Sequence, residues 1–396
     1  MLARVAMTFA ATTILVSSVA LAQDIAVGGQ VRPRFEYRRP AFTGQTYDAF
    51  TSMRTRADIT AALEGGVSAF VQVQDVRLWG EEGGTLTDFS AKAFDLHQGW
   101  LEIRSSTGLN WWGRAGRQET NFGGQRLVGA VDWAQQGRAF DGIRGGMSAN
   151  FGTVDVVAYQ LNEATDPDID EDSQLLGAYA VLANMLGGSL DAYALYDHVA
   201  GTPKTSRGTL GARLNGSQST FAYRLEASYQ LGKANDMDVS AFMVGARLGM
   251  TLGKATVTAW YDFLSGDDDA ADNKTKVFNT LFATNHKFYG TADLFLDIPA
   301  HTGGLGLQDI AVKGTFAASS KVRLGLDAHH FRTAKQGSLT SPRFGEEVDV
   351  EARYSHNSNF TLTGGLAYVI QGPAFEELGR LDKNMFWAYV MIDVSF

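Results

Sequence analysis

The 396-residue chain has no cysteine and a formal charge of −9. That balance excludes a nucleic-acid footprint, which needs clustered basic charge, and zero cysteines exclude a disulfide framework. Beyond the N-terminal segment no run of 18 apolar residues occurs, so no transmembrane helix is expected.

Residues 1–22 read as a secretory signal peptide. Arg4 supplies the charged start, the stretch 5–19 is mostly apolar, and Ala20-Leu21-Ala22 forms an A-x-A cleavage site before Gln23. About 15 apolar residues fall short of the roughly 20 that a spanning helix needs. Two units are therefore expected: a signal peptide, 1–22, and one exported domain, 23–396. The charge is uneven within it. Residues 24–144 carry 13 Arg and 1 Lys against 14 acids, whereas 151–396 carry 19 basic residues against 29 acids.

Along the exported part, segments of roughly 10 to 13 residues alternate with period two, broken by Gly, Ser, Asn and Asp. In 221–230, Phe221, Tyr223, Leu225, Ala227 and Tyr229 alternate with Arg224, Glu226, Ser228 and Gln230. The segments 321–332 and 347–356 repeat the pattern. A soluble sandwich would bury the apolar face against a second sheet. An outer-membrane barrel turns it to lipid and lines an aqueous lumen with the charged face. Strand length, short turns alternating with long polar loops, and a last strand ending in Phe396 favour the barrel. Eighteen strands are predicted, centred near Arg34, Arg56, Val73, Trp100, Arg114, Ile143, Val157, Tyr179, Ala194, Ala212, Leu225, Val244, Ala259, Val312, Leu326, Val350, Leu366 and Val390. This all-β, antiparallel transmembrane barrel leaves room for a channel. Its long loops, at 40–49, 78–92, 118–136, 162–173 and 265–306, are expected outside the cell. Segment 278–295 is too apolar to sit free in water and is expected in the pore or on its rim.

The stretch 116–144 holds Arg117, Arg126, Arg138 and Arg144 beside Glu119, Asp132 and Asp141, with six glycines. Such charge is costly to bury unpaired in a soluble core, yet Phe122, Leu127, Val128, Val131, Trp133 and Phe140 make it too apolar for a linker. A wall between water and an apolar phase accommodates both. Trp100, Trp111, Trp112, Trp260, Tyr261, Phe386, Trp387 and Tyr389 fall near strand ends, where they suit the aromatic girdles of a barrel.

Asp166, Asp168, Asp170 and Asp172 alternate like the start of a calcium loop. Glu171 stands where Gly is needed and Gly177 where a Glu is needed, so an EF-hand is not expected. His329 and His330 point to opposite faces of a strand and cannot share a metal. No G-x-S-x-G nucleophile motif occurs. No enzyme activity, cofactor or metal is expected.

Several stretches resemble the alginate-export family of outer-membrane barrels: GQVRPRFEYR (29–38), SMRTRADI (52–59), VQDVRLWGEE (73–82), LHQGWLEI (96–103), GRQ (116–118), GGQRLVGAVDW (123–133), GRAFDG (137–142), TNHKFYGTADLF (284–295) and GLQDI (306–310). The resemblance implies an 18-stranded porin with an arginine-lined pore for an anionic polysaccharide; separately, the last strand, ending in Phe396, resembles the assembly signal of bacterial outer-membrane proteins. Arg34, Arg54, Arg56, Arg77, Arg117, Arg126, Arg138 and Arg144 are the lumen candidates. Guanidinium groups bind carboxylates bidentately, and Asp58, Asp75, Asp132 and Asp141 would hold them in place and keep binding weak. These Arg and Asp residues could also simply pair across the wall. Expected partners are outer-membrane lipid and lipopolysaccharide, anionic polysaccharide or small anions, the barrel-assembly machinery and a periplasmic export partner. A general porin for small anions, or a barrel enzyme or adhesin working through its loops, are the other readings.

Overall fold

The computed structural model describes residues 24–41, 46–81, 94–105, 108, 110–163, 172–201, 203–269 and 271–396. The expected signal peptide lies outside them, as do Asp166, Asp168 and Asp170, and parts of the loops at 40–49, 78–92 and 162–173.

Alternation in the sequence becomes strand. The chain runs β1 (Asp24–Arg39), β2 (Asp48–Ala62), β3 (Val67–Leu78), β4 (Phe94–Arg104), β5 (Asn110–Gln118), β6 (Phe140–Ala149), β7 (Gly152–Asn162), β8 (Ser173–Met185) and β9 (Gly188–Val199). It continues with β10 (Thr205–Gln218), β11 (Phe221–Ala234), β12 (Met237–Leu252), β13 (Ala255–Leu264), the two-residue β14 (Lys274–Thr275), β15 (Leu307–Ala317), β16 (Val322–Arg332), β17 (Arg343–Ser355), β18 (Phe360–Gln371) and β19 (Met385–Ser395). All eighteen predicted centres fall within the eighteen long strands. Each long strand pairs antiparallel with its neighbours, and β14 adds a short parallel pairing to β12.

Closure comes from β1 meeting β19, with Gln30 opposite Ser395 and Arg39 opposite Phe386. A closed barrel leaves no strand edge unpaired, which is what a hydrocarbon environment demands of backbone amides. The outer face is apolar: Val27, Phe35, Ile59, Val71, Leu101, Ile143 (62% exposed), Leu225, Leu248, Val312, Leu326 and Leu366 all point away from the lumen. Water would penalise such a belt, whereas lipid does not. The barrel thus sits in the outer membrane, with both strand ends Asp24 and Ser395 on the short-turn side.

Phe396 completes this seam. Its N–H donates to the Gly29 carbonyl and its carbonyl accepts from the Gly29 N–H, both at 3.0 Å. Its ring lies over Gly29, where an added Cβ would meet the ring at 2.5 Å and push it aside, and remains 70% exposed on the outer face. Deleting Phe396 should leave the soluble-side packing untouched yet stop assembly, so that the heat-modifiable band of a folded barrel is lost on gel electrophoresis. A deletion variant that migrates like the parent protein would rule out this role.

The aromatic residues expected in the girdles divide. Trp111, Tyr261 and Phe386 face outward, but Trp100, Trp112, Trp260, Trp387 and Tyr389 face the lumen, and Trp387 is fully buried there. Trp111 and Trp112, Trp260 and Tyr261, and Phe386 and Trp387 are chain neighbours. Successive strand residues point to opposite faces, so only one of each pair can meet lipid.

The hydrophobic core lies inside the barrel. Two long connections turn inward, 119–139 between β5 and β6 and 265–306 between β13 and β15. From the second, Phe278, Phe288, Tyr289, Leu294, Phe295 and Ile298 are buried. Phe295 packs on Phe331 at 4.8 Å and on Phe344 at 5.1 Å between ring centres. Each such burial contributes about 1.5–3 kcal/mol relative to exposure. The first connection, expected outside the cell, is instead strapped to the second: the Gly129 N–H donates to Phe282 O (2.9 Å), Phe282 N–H to Leu127 O (2.8 Å) and Thr284 N–H to Gln125 O (2.9 Å). An eighteen-strand lumen is too wide for its own wall side chains to fill, and these loops narrow it.

Candidate functional site

Register decides which candidate residues meet water. β1 and β2 place Arg32 opposite Arg54, Gln30 opposite Arg56 and Arg34 opposite Ser52, all facing inward. Asp58 shares that face and accepts from Gln72 Nε2 at 3.3 Å. Asp75 and Arg77 do not. They stand opposite Thr55 and Met53, on the alternation of the exposed Ile59 and Val71, and pair with each other, Nε to Oδ1 at 2.6 Å. Arg117 lies opposite Gly99 and Asp141, on the alternation of exposed Leu101 and Ile143; Arg117 and Asp141 form an exposed pair at 2.6 Å. Asp75, Arg117 and Asp141, expected in the lumen, belong to the outer face near the loop end, while Arg77, on the same alternation, still borders the loop-side cavity. Arg144 faces inward, paired with Asp155 at 3.1 Å.

The inward arginines of β1 and β2 grip the 119–139 segment. Arg54, 1% exposed, donates to Gln30 Oε1 (2.6 Å) and Asp132 Oδ1 (2.8 Å). Arg32 donates to Asp132 O (2.8 Å) and Gln135 Oε1 (3.1 Å). Arg34 donates to Trp133 O (2.6 Å) and Glu36 (2.8 Å), with its guanidinium 4.0 Å from the Trp133 ring centre. Arg56 contacts Gln74 (3.1 Å), His97 (2.8 Å) and Glu119 (3.3 Å). Burial would raise the Asp132 carboxyl, but Arg54 and Arg32 outweigh it and hold that acid below its ordinary value. So the cluster is a paired seat for a loop, four guanidiniums against Glu36, Glu119 and Asp132, more than an open ladder.

From that seat the segment reaches the far wall. Arg126 is buried against Asp262 of β13 (2.9 Å) and Glu226 of β11 (3.4 Å), and donates to the Tyr289 hydroxyl at 2.8 Å. Burial alone would lower its affinity for the proton; Asp262, Tyr289 and Glu226 reverse that and keep it above the ordinary guanidinium value. Among the described residues the Arg138 guanidinium has carbonyl partners only, Phe282 O, Gly129 O (3.3 Å) and Ala283 O (3.3 Å), and burial lowers it. Trp133 stacks on His286 at 4.0 Å and donates to Asp293 at 3.2 Å, which ties the two loops together. A cavity of about 620 Å³ on this loop side is lined by Arg34, Trp133, Arg138, His286 and Asp293 among others.

A second set of cations went unnamed from the sequence. Arg224 and Arg247 face each other across β11 and β12, and Arg323 faces Arg353 across β16 and β17. All four stand near the short-turn end. They border cavities of about 500 Å³, with Asn215, Tyr223 and Trp260, and about 690 Å³, with Lys321 and Glu351. Arg247 stacks 3.1 Å from the Trp260 ring centre. Arg224, Arg323 and Arg353 form no ion pair among the described residues. Their parity within alternating strands, Arg224 beside Glu226 and Arg353 beside Glu351, was the signal available.

The family model described as "Alginate export" matches residues 23–371. Among solved structures, the chain is similar to Pseudomonas aeruginosa OpdO, with a TM-score of 0.65 and 13% identity over 95% of this chain and 98% of that one. The outer membrane protein opdK from Pseudomonas aeruginosa gives a TM-score of 0.60 at 10% identity over 94% and 98%. Acinetobacter baumannii OccAB4 gives 0.64 at 10% identity over 93% and 98%. At such identities these structures share the barrel fold. No curated protein matches the sequence.

Proposed function

The chain belongs to the alginate-export family and is an outer-membrane channel, and from that premise we propose that it passes anionic solutes, an acidic polysaccharide or oligosaccharide such as alginate, by passive diffusion along an arginine-lined lumen. The observation that carries this reading is the set of guanidiniums at the short-turn mouth, Arg224, Arg323 and Arg353, which have no ion-pair partner among the described residues and border two open cavities. Guanidinium forks match carboxylate geometry, and three cations against the single acid Glu351 in the larger cavity leave a positive excess that concentrates counter-charged solute. Trp260, whose ring holds the Arg247 guanidinium at 3.1 Å and Lys313 Nζ at 4.7 Å, fixes further cationic charge beside the same cavity. Nearer the loops the arginines are paired with acids, which suits release over tight capture. The selectivity roles of Arg34, Arg54, Arg56, Arg126, Arg138, Arg144, Asp58 and Asp132 belong to this proposal.

A general porin for small anions shares every one of these features except length of engagement. Planar-bilayer recordings separate the two. Polyuronate added on the turn side should block the current in a concentration-dependent way, while uronate monomer at equal carboxylate concentration should not. Equal block by monomer and polymer would favour the small-anion porin.

A further inference from the structure

The lumen face of β15, β16 and β17 carries a group of ionisable residues that solute passage does not require. A ring nitrogen of His329 and one carboxylate oxygen each from Asp327 and Asp349 lie within 4.8 Å of one another. His329 is buried. Its Nδ1 is taken by Asp309 Oδ1 at 2.8 Å, and its Nε2 is buried with no hydrogen-bond partner among the described residues. We propose that Asp327, His329 and Asp349 form a binding site for one first-row divalent metal ion of the Zn²⁺ type.

Four features support the assignment. A carboxylate that accepts from Nδ1–H fixes the imidazole tautomer and leaves the Nε2 lone pair free, the outer-shell arrangement that metal-binding histidines use. A buried, unpartnered ring nitrogen otherwise costs about 1–3 kcal/mol, and an ion would satisfy it. Ligand atoms within 4.8 Å of one another can converge on a centre at Zn–N and Zn–O distances of about 2.0–2.2 Å with small side-chain rotations. One imidazole with two carboxylates suits a borderline ion better than calcium, which takes oxygen ligands only. The neighbours are compatible. Lys313 holds Asp327 Oδ2 at 3.0 Å, leaving that residue's other oxygen free. Glu347 stands opposite His329 with Oε2 unpartnered among the described residues.

The site also touches the inward loop. Asp349 accepts from the Thr291 hydroxyl (2.8 Å) and its N–H (3.3 Å), and Glu347 accepts from the Ala292 N–H (2.8 Å). A bound ion would therefore fix the wall to the segment that narrows the lumen, whatever solute passes.

The test uses the untagged, full-length folded barrel, stripped with a chelator and titrated with Zn²⁺ alone by calorimetry. One Zn²⁺ per chain is expected, with a higher unfolding temperature in its presence. His329→Gln and Asp349→Asn should each weaken binding at least tenfold, and His330→Gln, on the outer face beside Glu346, should not change it. Asp327→Asn, at a half-buried position, carries the same tenfold expectation and decides the matter if His329→Gln does not assemble. No stoichiometric binding to the parent barrel, or binding that survives both His329→Gln and Asp327→Asn, overturns the proposal.

Discussion

Arg126→Ala should raise single-channel conductance severalfold while the barrel still assembles. Arg126 is the one cation of the 119–139 segment that crosses to the far wall, where Asp262 and Glu226 have under a tenth of their surface exposed. Removing it takes the closest guanidinium from two buried carboxylates, leaving Asp262 with the Trp260 indole N–H (2.9 Å) and the more distant Arg247 (3.9 Å) and Glu226 with the Tyr193 hydroxyl (3.5 Å), and breaking a buried pair from one side costs about 3–5 kcal/mol. The wall itself keeps every ladder hydrogen bond, so the penalty falls on the seating of the loop. At about 1.4 kcal/mol per tenfold, the seated population drops by a factor of roughly a hundred or more. Asp262→Asn should open the pore in the same direction. Arg117→Ala, which removes an exposed pair on the outer face, should leave conductance unchanged. Unaltered conductance in folded Arg126→Ala would mean that the inward segment does not constrict the path.

Replacing Arg224, Arg323 and Arg353 together with Ala should shift the channel toward cations. These guanidiniums border lumen cavities without a carboxylate ion-pair partner among the described residues, so their charge is not cancelled at close range. Clefts of one sign raise local counter-ion concentration by about tenfold or more, and salt screens that field over about 8 Å at physiological ionic strength. The anion-to-cation permeability ratio should therefore fall on the order of severalfold at low salt and little at high salt. By contrast Arg54 and Arg32 sit beside Asp132, and Arg56 beside Glu119. Substituting them should disturb the loop seat more than the selectivity. A triple variant with unchanged permeability at low salt would place the conduction path elsewhere.

The barrel was legible because period two is a local property: Val322, Leu324 and Leu326 alternate outward whatever the rest of the chain does. The outward run from Phe386 to Phe396 was equally plain. Facing was not. Arg54 and Arg56 are two apart and must share a face, but whether Asp75 and Arg77 share it depends on the register that sets Arg54 against Val76, and a slip of one residue reverses the answer. Arg114 and Arg117 are three apart in one strand, so parity alone already placed them on opposite faces. The inward path of 119–139 was hidden for a different reason. Its partners Asp262 and Tyr289 are more than 130 residues away, and nothing local encodes that contact. The same holds for Asp327, His329 and Asp349, which only the pairing of β16 with β17 brings together.

The reversal potential of the parent barrel in a planar bilayer, under a KCl gradient kept at low salt on both sides, tests the central claim most directly. An anion-selective channel should give a potential of the sign set by chloride, which collapses toward zero as salt is raised. A potential of the sign set by potassium at low salt would contradict an arginine-lined path for anions.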